Sequence, residues 1–487
     1  MPREESFDHH TFLSPFTWRY GSEEMRRIFS EIETRAQWRK LWTSLAEAQS
    51  EYGLVSKKEV ADLRSKMAPE NIDLKRAHEI EEEIKHDLMA EIRTYAEQTP
   101  IGGGKIHLGA TSADIEDNID ALKMLQATDV ILTRLANCLD AMASNITKYA
   151  DLSCIGWTHL QPAEPTTLGY RFALYAQDLT LDIKNIENLR QHFIKGKGLK
   201  GAVGTAASYK ALLKDVAAEP SELEAKVMEK LGLEAFPIAS QTYPRKMDYL
   251  VLSALAAVAQ SIHKFGLDLR VLQSPVFGEL SEPIGRSQVG SSTMAFKRNP
   301  VAAERMCSLA RYVSTLPNVS FMNAANSILE RTLDESANRR IIIPEAFLAV
   351  DECLTIYQKI ARKLVVNTTI VERNLSRFGV FAGTETIMVE MVKKGGDRQK
   401  IHEKIRQYSF KAWDEVMNGR ENPLEELLSS DPEISKAIPR NQLKKMLNPS
   451  SYTGDASNRA KKFVKETIDP ILSRNADRLK QKTETRF

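Results

Sequence analysis

The chain has 487 residues, 42% hydrophobic and 27% charged, which is ordinary for a globular protein with a sizeable core. Its 67 basic and 65 acidic residues leave a net charge of +2. That balance argues against a dedicated nucleic-acid binder, which carries a strong basic excess, and leaves any anionic ligand to local clusters of Arg and Lys.

The start, MPREESFDHH, is polar and has no apolar h-region, so no signal peptide is expected, and His9 and His10 read as a solvated tail rather than metal ligands. A smaller helical segment is expected from there to about residue 111. Between Ala110 and Ile155 there is no Gly or Pro, and Leu122, Leu125, Leu132, Leu135 and Leu139 recur as on one helix face. From Tyr170 to Ile194 the pattern repeats through Phe172, Tyr175, Leu179, Ile183, Ile186 and Leu189. Met247 to Val271 is a third long segment, interrupted only by Gly266; its most apolar run, Leu250 to Ala259, is too short to span a membrane. The Asn299-Pro300 step predicts an N-cap and first turn for the helix VAAERMCSLARYV. Ala346 to Phe378 is a fourth long segment without Gly or Pro. After Asn367 the helices read as shorter and more basic, with breaks at Gly395–Gly396, Pro423, Pro432, Pro439 and Pro449, and RLKQKTETRF reads as a frayed charged end. Few period-2 runs and no βαβ rhythm are visible, so the fold class is all-α, divided at 1–111, 112–366 and 367–487. Helices this long, striped on more than one face, predict bundling with other helices, either from other subunits or within an elongated monomer. The four cysteines, Cys138, Cys154, Cys307 and Cys353, form no CxxC pair or zinc-like spacing and read as reduced thiols of a cytoplasmic protein.

Three polar stretches interrupt the helical pattern. In HLGATSADIEDN, His107 to Asn118, Thr111 and Asp114 fit a capping box. Hydroxyls and free N–H groups at a helix N-terminus also make an anion site, and capping does not account for His107 or Ser112. In GWTHLQPAEPTTLGYR, Gly156 to Arg171, His159 is expected in a loop just before a long helix. A lone histidine is usually structural or exposed, yet a pKa of about 6.5 suits proton transfer near neutrality. In GSSTMAFKRNP, residues 290–300, Gly290 supplies flexibility. Lys297, Arg298 and the following helix N-terminus place positive charge near Ser291 and Ser292, a field that favours a serine oxyanion acting as a base. Other cationic groups lie in WRYGSEEM near the start, KHDLMAEI at 85–92, QTYPRK at 241–246 and RTLDESANRR at 331–340; singly, each reads as a solvated helix face.

Taken together and in this order, the stretches carry a resemblance. GSSTMAFKRNP resembles the signature loop GSSxMPxKxNP of the fumarase/aspartase superfamily, and HLGATSADIEDN and THLQPAEP resemble its other two shared regions. Arg19-Tyr20, Lys85-His86-Asp87, Gln241 and RTLDESANRR further resemble the adenylosuccinate lyase family within it, in its animal-type length. Fumarases and aspartases bind small dicarboxylates and do not need that added set. The resemblance implies an all-α, fumarase/aspartase-like fold whose long helices assemble a homotetrameric core. Each active site then draws on three subunits and uses no metal or organic cofactor. The implied reaction is β-elimination of fumarate from adenylosuccinate, giving AMP, and from SAICAR, giving AICAR, with no nucleic-acid or membrane partner.

By position, the resemblance implies Ser291 as base and His159 as the acid that protonates the leaving nitrogen. Lys297 supports the serine oxyanion or a substrate carboxylate, and His86 lies near the acid–base machinery. Arg19 and Tyr20 contact the nucleotide, with Lys85, His86 and Asp87 near phosphate and ribose. Thr111 and Ser112 hold a succinyl carboxylate, and Gln241 meets the succinyl or base portion. Arg305, Arg331, Ser336 and Arg340 complete the substrate site, with Asn299 and His107 in the same neighbourhood. Two residues depart from the family pattern. Ala295 replaces the usual proline of the signature loop, which loosens its backbone, and Glu164 adds a negative charge that raises the pKa of His159 if the two lie close. Two other readings stay open: a superfamily lyase acting on argininosuccinate, and a helical scaffold that kept the fold and lost catalysis.

Overall fold

The computed structural model describes residues 9–285 and 291–479. Gly290, the chain start up to residue 8 and the charged end from residue 480 lie outside the described residues. Helices on both sides of the signature loop frame the site. They are α1 (Glu31–Ser50), α2 (Leu74–Ile84), α3 (Asp87–Gln98), α4 (Ser112–Lys148), α5 (Leu168–His192), α6 (Lys246–Gln273) and, past the loop, α7 (Val301–Ala325). They are followed by α8 (Ser336–Arg362) and α9 (Thr368–Phe378). The all-α expectation holds.

The leucine and aromatic stripes are the reason α4 and α5 pack. Leu122, Leu132, Leu135 and Leu139 are buried, and so are Phe172, Tyr175, Leu179, Ile183, Ile186 and Leu189. α4 packs along α5 and α8, while α6 packs along α7 and α8, so five long helices share one core. α6 has 28 residues and is apolar enough to cross a membrane by length and composition; 56% of its apolar window is buried inside this bundle, as in a core helix. A second apolar cluster, around Ile387, Ile401, Leu424 and Leu443, forms among the helices that follow residue 380, one of them the 20-residue Arg398–Met417. Ala460, Ile468 and Ile471 then return to the main core. Arg478, expected in a frayed end, instead donates to the Asp129 carboxylate at 2.6 Å.

Three local expectations need correction. The segment Ala346–Phe378 is not one helix. α8 ends at Arg362, and Val365–Val366 pairs antiparallel with Leu280–Ser281 before Asn367 caps α9 through Ile370 N at 3.4 Å. Two adjacent β-branched residues with a strand partner prefer the pleat to another helical turn. The helix beginning VAAERM does not stop near Val313 but runs to Ala325 through Pro317. Val313, Leu316 and Ser320 are buried around the proline, and that packing offsets the lost hydrogen bond. The stretch carrying His159 is a β-hairpin, not a plain loop. β1 (Ser153–Thr158) pairs with β2 (Gln161–Thr167), and His159 and Leu160 form its two-residue turn at φ 55° and 60°. Two successive left-handed residues are what a type I′ hairpin turn requires.

Candidate active site

The KHD sequence works as a corner. Lys85 ends α2 in the left-handed region at φ 56°, and His86 caps α3 by accepting from Met89 N through Nδ1 at 3.4 Å. Asp87 is thereby turned toward α8, where Arg340 Nη2 donates to its Oδ2 at 2.7 Å. Lys85, Asp87, Arg331, Ser336 and Arg340 line one groove of about 2020 Å³. The structure thus brings five of the expected substrate-site residues together in a single protomer.

Glu116 lines the same groove. Nothing in the sequence separates it from an ordinary helix-surface glutamate. Burial, then Asp87, Asp117 and Asp120, push its carboxyl up to about 7. An acid whose folded pKa exceeds its unfolded value of about 4.3 loses stability as pH rises from the unfolded value to the folded one. Glu116→Gln is therefore expected to be more stable than the parent at pH 8, by about 1–3 kcal/mol. The gap should close as pH falls toward about 4.3. Denaturant midpoints at fixed protein concentration measure this; equal stability at pH 8 contradicts it.

Asp114 is the second feature that chain order concealed. Its Oδ2 accepts from Thr111 N at 3.1 Å, the backward half of the expected capping box. The same buried carboxylate accepts Lys197 Nζ at 2.5 Å, Tyr209 Oη at 3.0 Å and the N–H groups of Lys200 and Gly201. Lys197 is fully buried, and burial lowers its pKa against the pull of Asp114. The start of α4, where Thr111 and Ser112 stand half-buried, is therefore clamped from a loop more than eighty positions away. His107 lies just before it, at φ 65°, and burial pushes its imidazole down to about 4.

Tyr20 and Arg305 meet, with the guanidinium 6.0 Å from the ring centroid. Glu352 joins their elements: it accepts Gly21 N at 3.2 Å and pairs with Arg305 at 3.6 Å. Arg19 is exposed, its guanidinium 5.6 Å from the Trp18 ring. Gln241 is half-buried and donates its N–H to Glu330 O at 3.2 Å, beside Arg331, whose side chain pairs with Glu335.

The signature loop differs from expectation in its electrostatics. Ser291 Oγ accepts from Thr293 N at 3.3 Å and Met294 N at 3.1 Å, and Lys297 N donates to Met294 O at 3.0 Å. Asn299 is not the N-cap of α7; Pro300 takes that position. Nor does the helix N-terminus point its free N–H groups at the serine. The buried carboxylate of Glu282 accepts Ala302 N at 3.2 Å and Ala303 N at 3.0 Å. The helix dipole is thus answered from behind, and the groups on the serine oxygen are backbone N–H groups of its own turn. Gln273 grips both sides of this segment, accepting Glu282 N at 2.9 Å and donating to Arg298 O at 3.0 Å. Ala295 and Lys297 are exposed.

His159 is exposed at the hairpin tip. Glu164 is exposed on β2, and among the described residues it makes no ion pair with His159. Among the described residues no hydrogen bond or ion pair joins His159, Ser291 or Lys297 to the groove, or to one another. His86, placed by the resemblance near the acid–base machinery, stands at the corner between α2 and α3, flanked by the groove residues Lys85 and Asp87. No group of His, Cys, Asp and Glu suited to a metal ion occurs among the described residues.

Residues 27–314 match the family model described as Lyase, and residues 381–463 match that described as Adenylosuccinate lyase C-terminus. The chain is 39% identical to the adenylosuccinate lyase of Saccharomyces cerevisiae, over 96% of each chain. It is 37% identical to that of Schistosoma mansoni, over 95% of this chain and 96% of the relative. Among solved structures, the 3-carboxy-cis,cis-muconate lactonizing enzyme from Pseudomonas putida superposes with a TM-score of 0.79 at 25% identity, over 94% of this chain and 98% of that one. The fumarate lyase from Mesorhizobium sp. BNC1 gives 0.78 at 21%, over 95% and 99%, and shares the fold. The signature loop, the long-helix bundle and these matches over nearly the whole length agree: the chain belongs to the adenylosuccinate lyase family of the fumarase/aspartase superfamily.

Proposed function

We propose that the chain, as a cytoplasmic homotetramer, cleaves adenylosuccinate to AMP and fumarate and SAICAR to AICAR and fumarate. Ser291 takes the proton from the carbon beside a succinyl carboxylate. The electron pair of the breaking C–N bond leaves with the purine-side nitrogen, which receives a proton from His159. Lys297 and the N–H groups of the serine turn favour the oxyanion, and charge on the succinyl carboxylate is met by Thr111 and Ser112 at the start of α4. Lys85, Arg331 and Arg340 hold phosphate and carboxylate, with Tyr20, Arg305 and Gln241 beside them. The observation that carries this reading is a division of labour: cationic binding groups line one groove, while Ser291 and His159 stand apart on a loop and an exposed hairpin tip. A complete site then needs residues from further copies of the chain. Exposed Leu174 and Leu181 on α5 and Leu267 on α6 fit helix pairing between such copies.

Two experiments test this. Purified protein given adenylosuccinate should release AMP and fumarate in equal amounts and leave argininosuccinate intact; folded protein that releases neither product overturns the proposal. His159→Gln and Ser291→Ala should each be nearly inactive alone. Refolded together, they should regain activity, because mixed tetramers contain some sites with both groups intact. Failure of a mixture shown to form hybrids contradicts sharing of these two residues between subunits.

A further inference from the structure

Arg331 enters the groove from the loop between α7 and α8, yet a buried carboxylate holds it. Its Nη1 donates to Glu335 Oε1. Arg245 Nε donates to the same oxygen at 3.2 Å. Two guanidinium groups therefore converge on one carboxylate oxygen. Glu335 stands at the head of α8, lines the groove and is only 3% exposed. Its Oε2 is buried and has no hydrogen-bond partner among the described residues, so the hydrogen bonding of this carboxylate falls on the oxygen the two arginines share.

Arg245, at the head of α6, already has an anion of its own. Its Nη1 and Nη2 donate to the two oxygens of Asp117, each at 3.1 Å, the two-point grip that the planar guanidinium favours. Asp117 is buried on α4 and also accepts Tyr243 N at 2.8 Å, and Arg245 lies over the Tyr243 ring, 4.6 Å from its centroid. With Arg245 answered by Asp117, the charge of Glu335 is left to answer Arg331. A buried row thus runs from Asp117 on α4 through Arg245 and Glu335 and ends at Arg331 in the groove. Asp117 follows Asp114 by about one turn of α4, and Asp114 clamps the start of that helix at Thr111. The opening turns of α4 therefore hold Thr111 directly and Arg331 through two intervening side chains.

We propose that Glu335 is a positioning residue: anchored by Arg245 and Asp117, it aims the Arg331 guanidinium at one anionic group of the ligand. Without its negative charge, Arg331 and Arg245 are two cations side by side where water is largely excluded, and their repulsion is strong there. The Arg331 side chain is 25% exposed and that of Arg245 only 4%, so Arg331 is the one that gives way. The anionic group is a phosphate or a carboxylate. That half of the inference rests on the function proposed above; the dependence of Arg331 on Glu335 does not.

A crystal structure of the full-length Glu335→Gln variant reads the position directly. The Arg331 guanidinium is expected to leave residue 335 while Arg245 keeps its grip on Asp117. Arg331 unmoved overturns the proposal whether or not the protein cleaves adenylosuccinate. Calorimetric titration with AMP and, separately, with fumarate distinguishes the two anions: Glu335→Gln should weaken one of them about tenfold and spare the other. Weakened AMP assigns Arg331 to phosphate, and weakened fumarate assigns it to a carboxylate. Equal weakening of both, or of neither, overturns the ligand half. In turnover of adenylosuccinate, KM should rise about tenfold with kcat within about twofold of the parent. With Arg331→Gln already in place, Glu335→Gln should change KM no further, whereas a purely structural residue would still add its effect. Glu335→Asp keeps the charge but draws it back by one methylene, so Arg331 should follow it and KM should rise only about threefold. If Glu335→Gln fails to fold, Glu335→Asp decides: Arg331 unmoved at parental KM contradicts the proposal.

Discussion

Replacing Ser291 by alanine is expected to lower turnover of adenylosuccinate roughly 10²–10⁴-fold, the usual contribution of a positioned base. KM should change little, because the groups assigned to binding line a different surface. The fold should not notice the change. Ser291 Oγ only accepts from Thr293 N and Met294 N, and both donors belong to exposed residues that can turn to water. The loss of stability should stay within about 0.5 kcal/mol. Those two N–H groups also give the substitution its meaning. A free serine is a very weak base, and hydrogen bonds to its oxygen favour the charged form. Steady-state fumarate release and a denaturant midpoint, measured side by side, check both halves. A variant that turns over like the parent removes Ser291 from the mechanism; one that unfolds early shows a structural role instead.

Lys197→Met should be strongly destabilising, by about 3–5 kcal/mol, because it breaks a fully buried ion pair. Its ammonium is fully buried, bonded to Asp114 at 2.5 Å and to Gly201 O at 2.8 Å. Methionine fills much of the same space, so the cost arises less from a cavity than from a buried carboxylate left without its cation. The double variant Lys197→Met with Asp114→Asn removes that stranded charge, and its loss should be smaller than the sum of the two single losses. Denaturant midpoints at one fixed protein concentration measure all four proteins, since assembly makes stability depend on concentration. Additive losses contradict the assignment. Because Asp114 also accepts Thr111 N, the single variant should raise KM through the start of α4 more than it lowers kcat.

How far the sequence could be read varies by element. α4 and α5 were legible because their apolar residues keep helical spacing without Gly or Pro to break it, and the core simply uses those stripes. α8 and α9 were run together because nothing local marks Val365–Val366 as a strand; its partner, Leu280–Ser281, lies far back in the chain. The hairpin turn at His159–Leu160 lacks the Asn-Gly or Asp-Gly pair that announces such turns, so it read as a loop. The cap on α7 was placed on Asn299 by proximity, whereas the carboxylate that reaches its N–H groups is Glu282.

The fold class, the long helices and the family are all legible in the order of residues along the chain. These rest on periodicity and on contiguous motifs, which the chain carries whatever its shape. That order also nominated Lys85, Asp87, Arg331, Ser336 and Arg340, which the fold gathers in one groove. Which groups set each other's charge emerges only once the chain is folded. Glu116 is raised by burial and by carboxylates of α3 and its own helix, Asp114 is paired with Lys197, and the imidazole of His107 is lowered by burial. Electrostatic coupling depends on distance in space and on exclusion of water. Neither quantity is written in the spacing of residues along the chain.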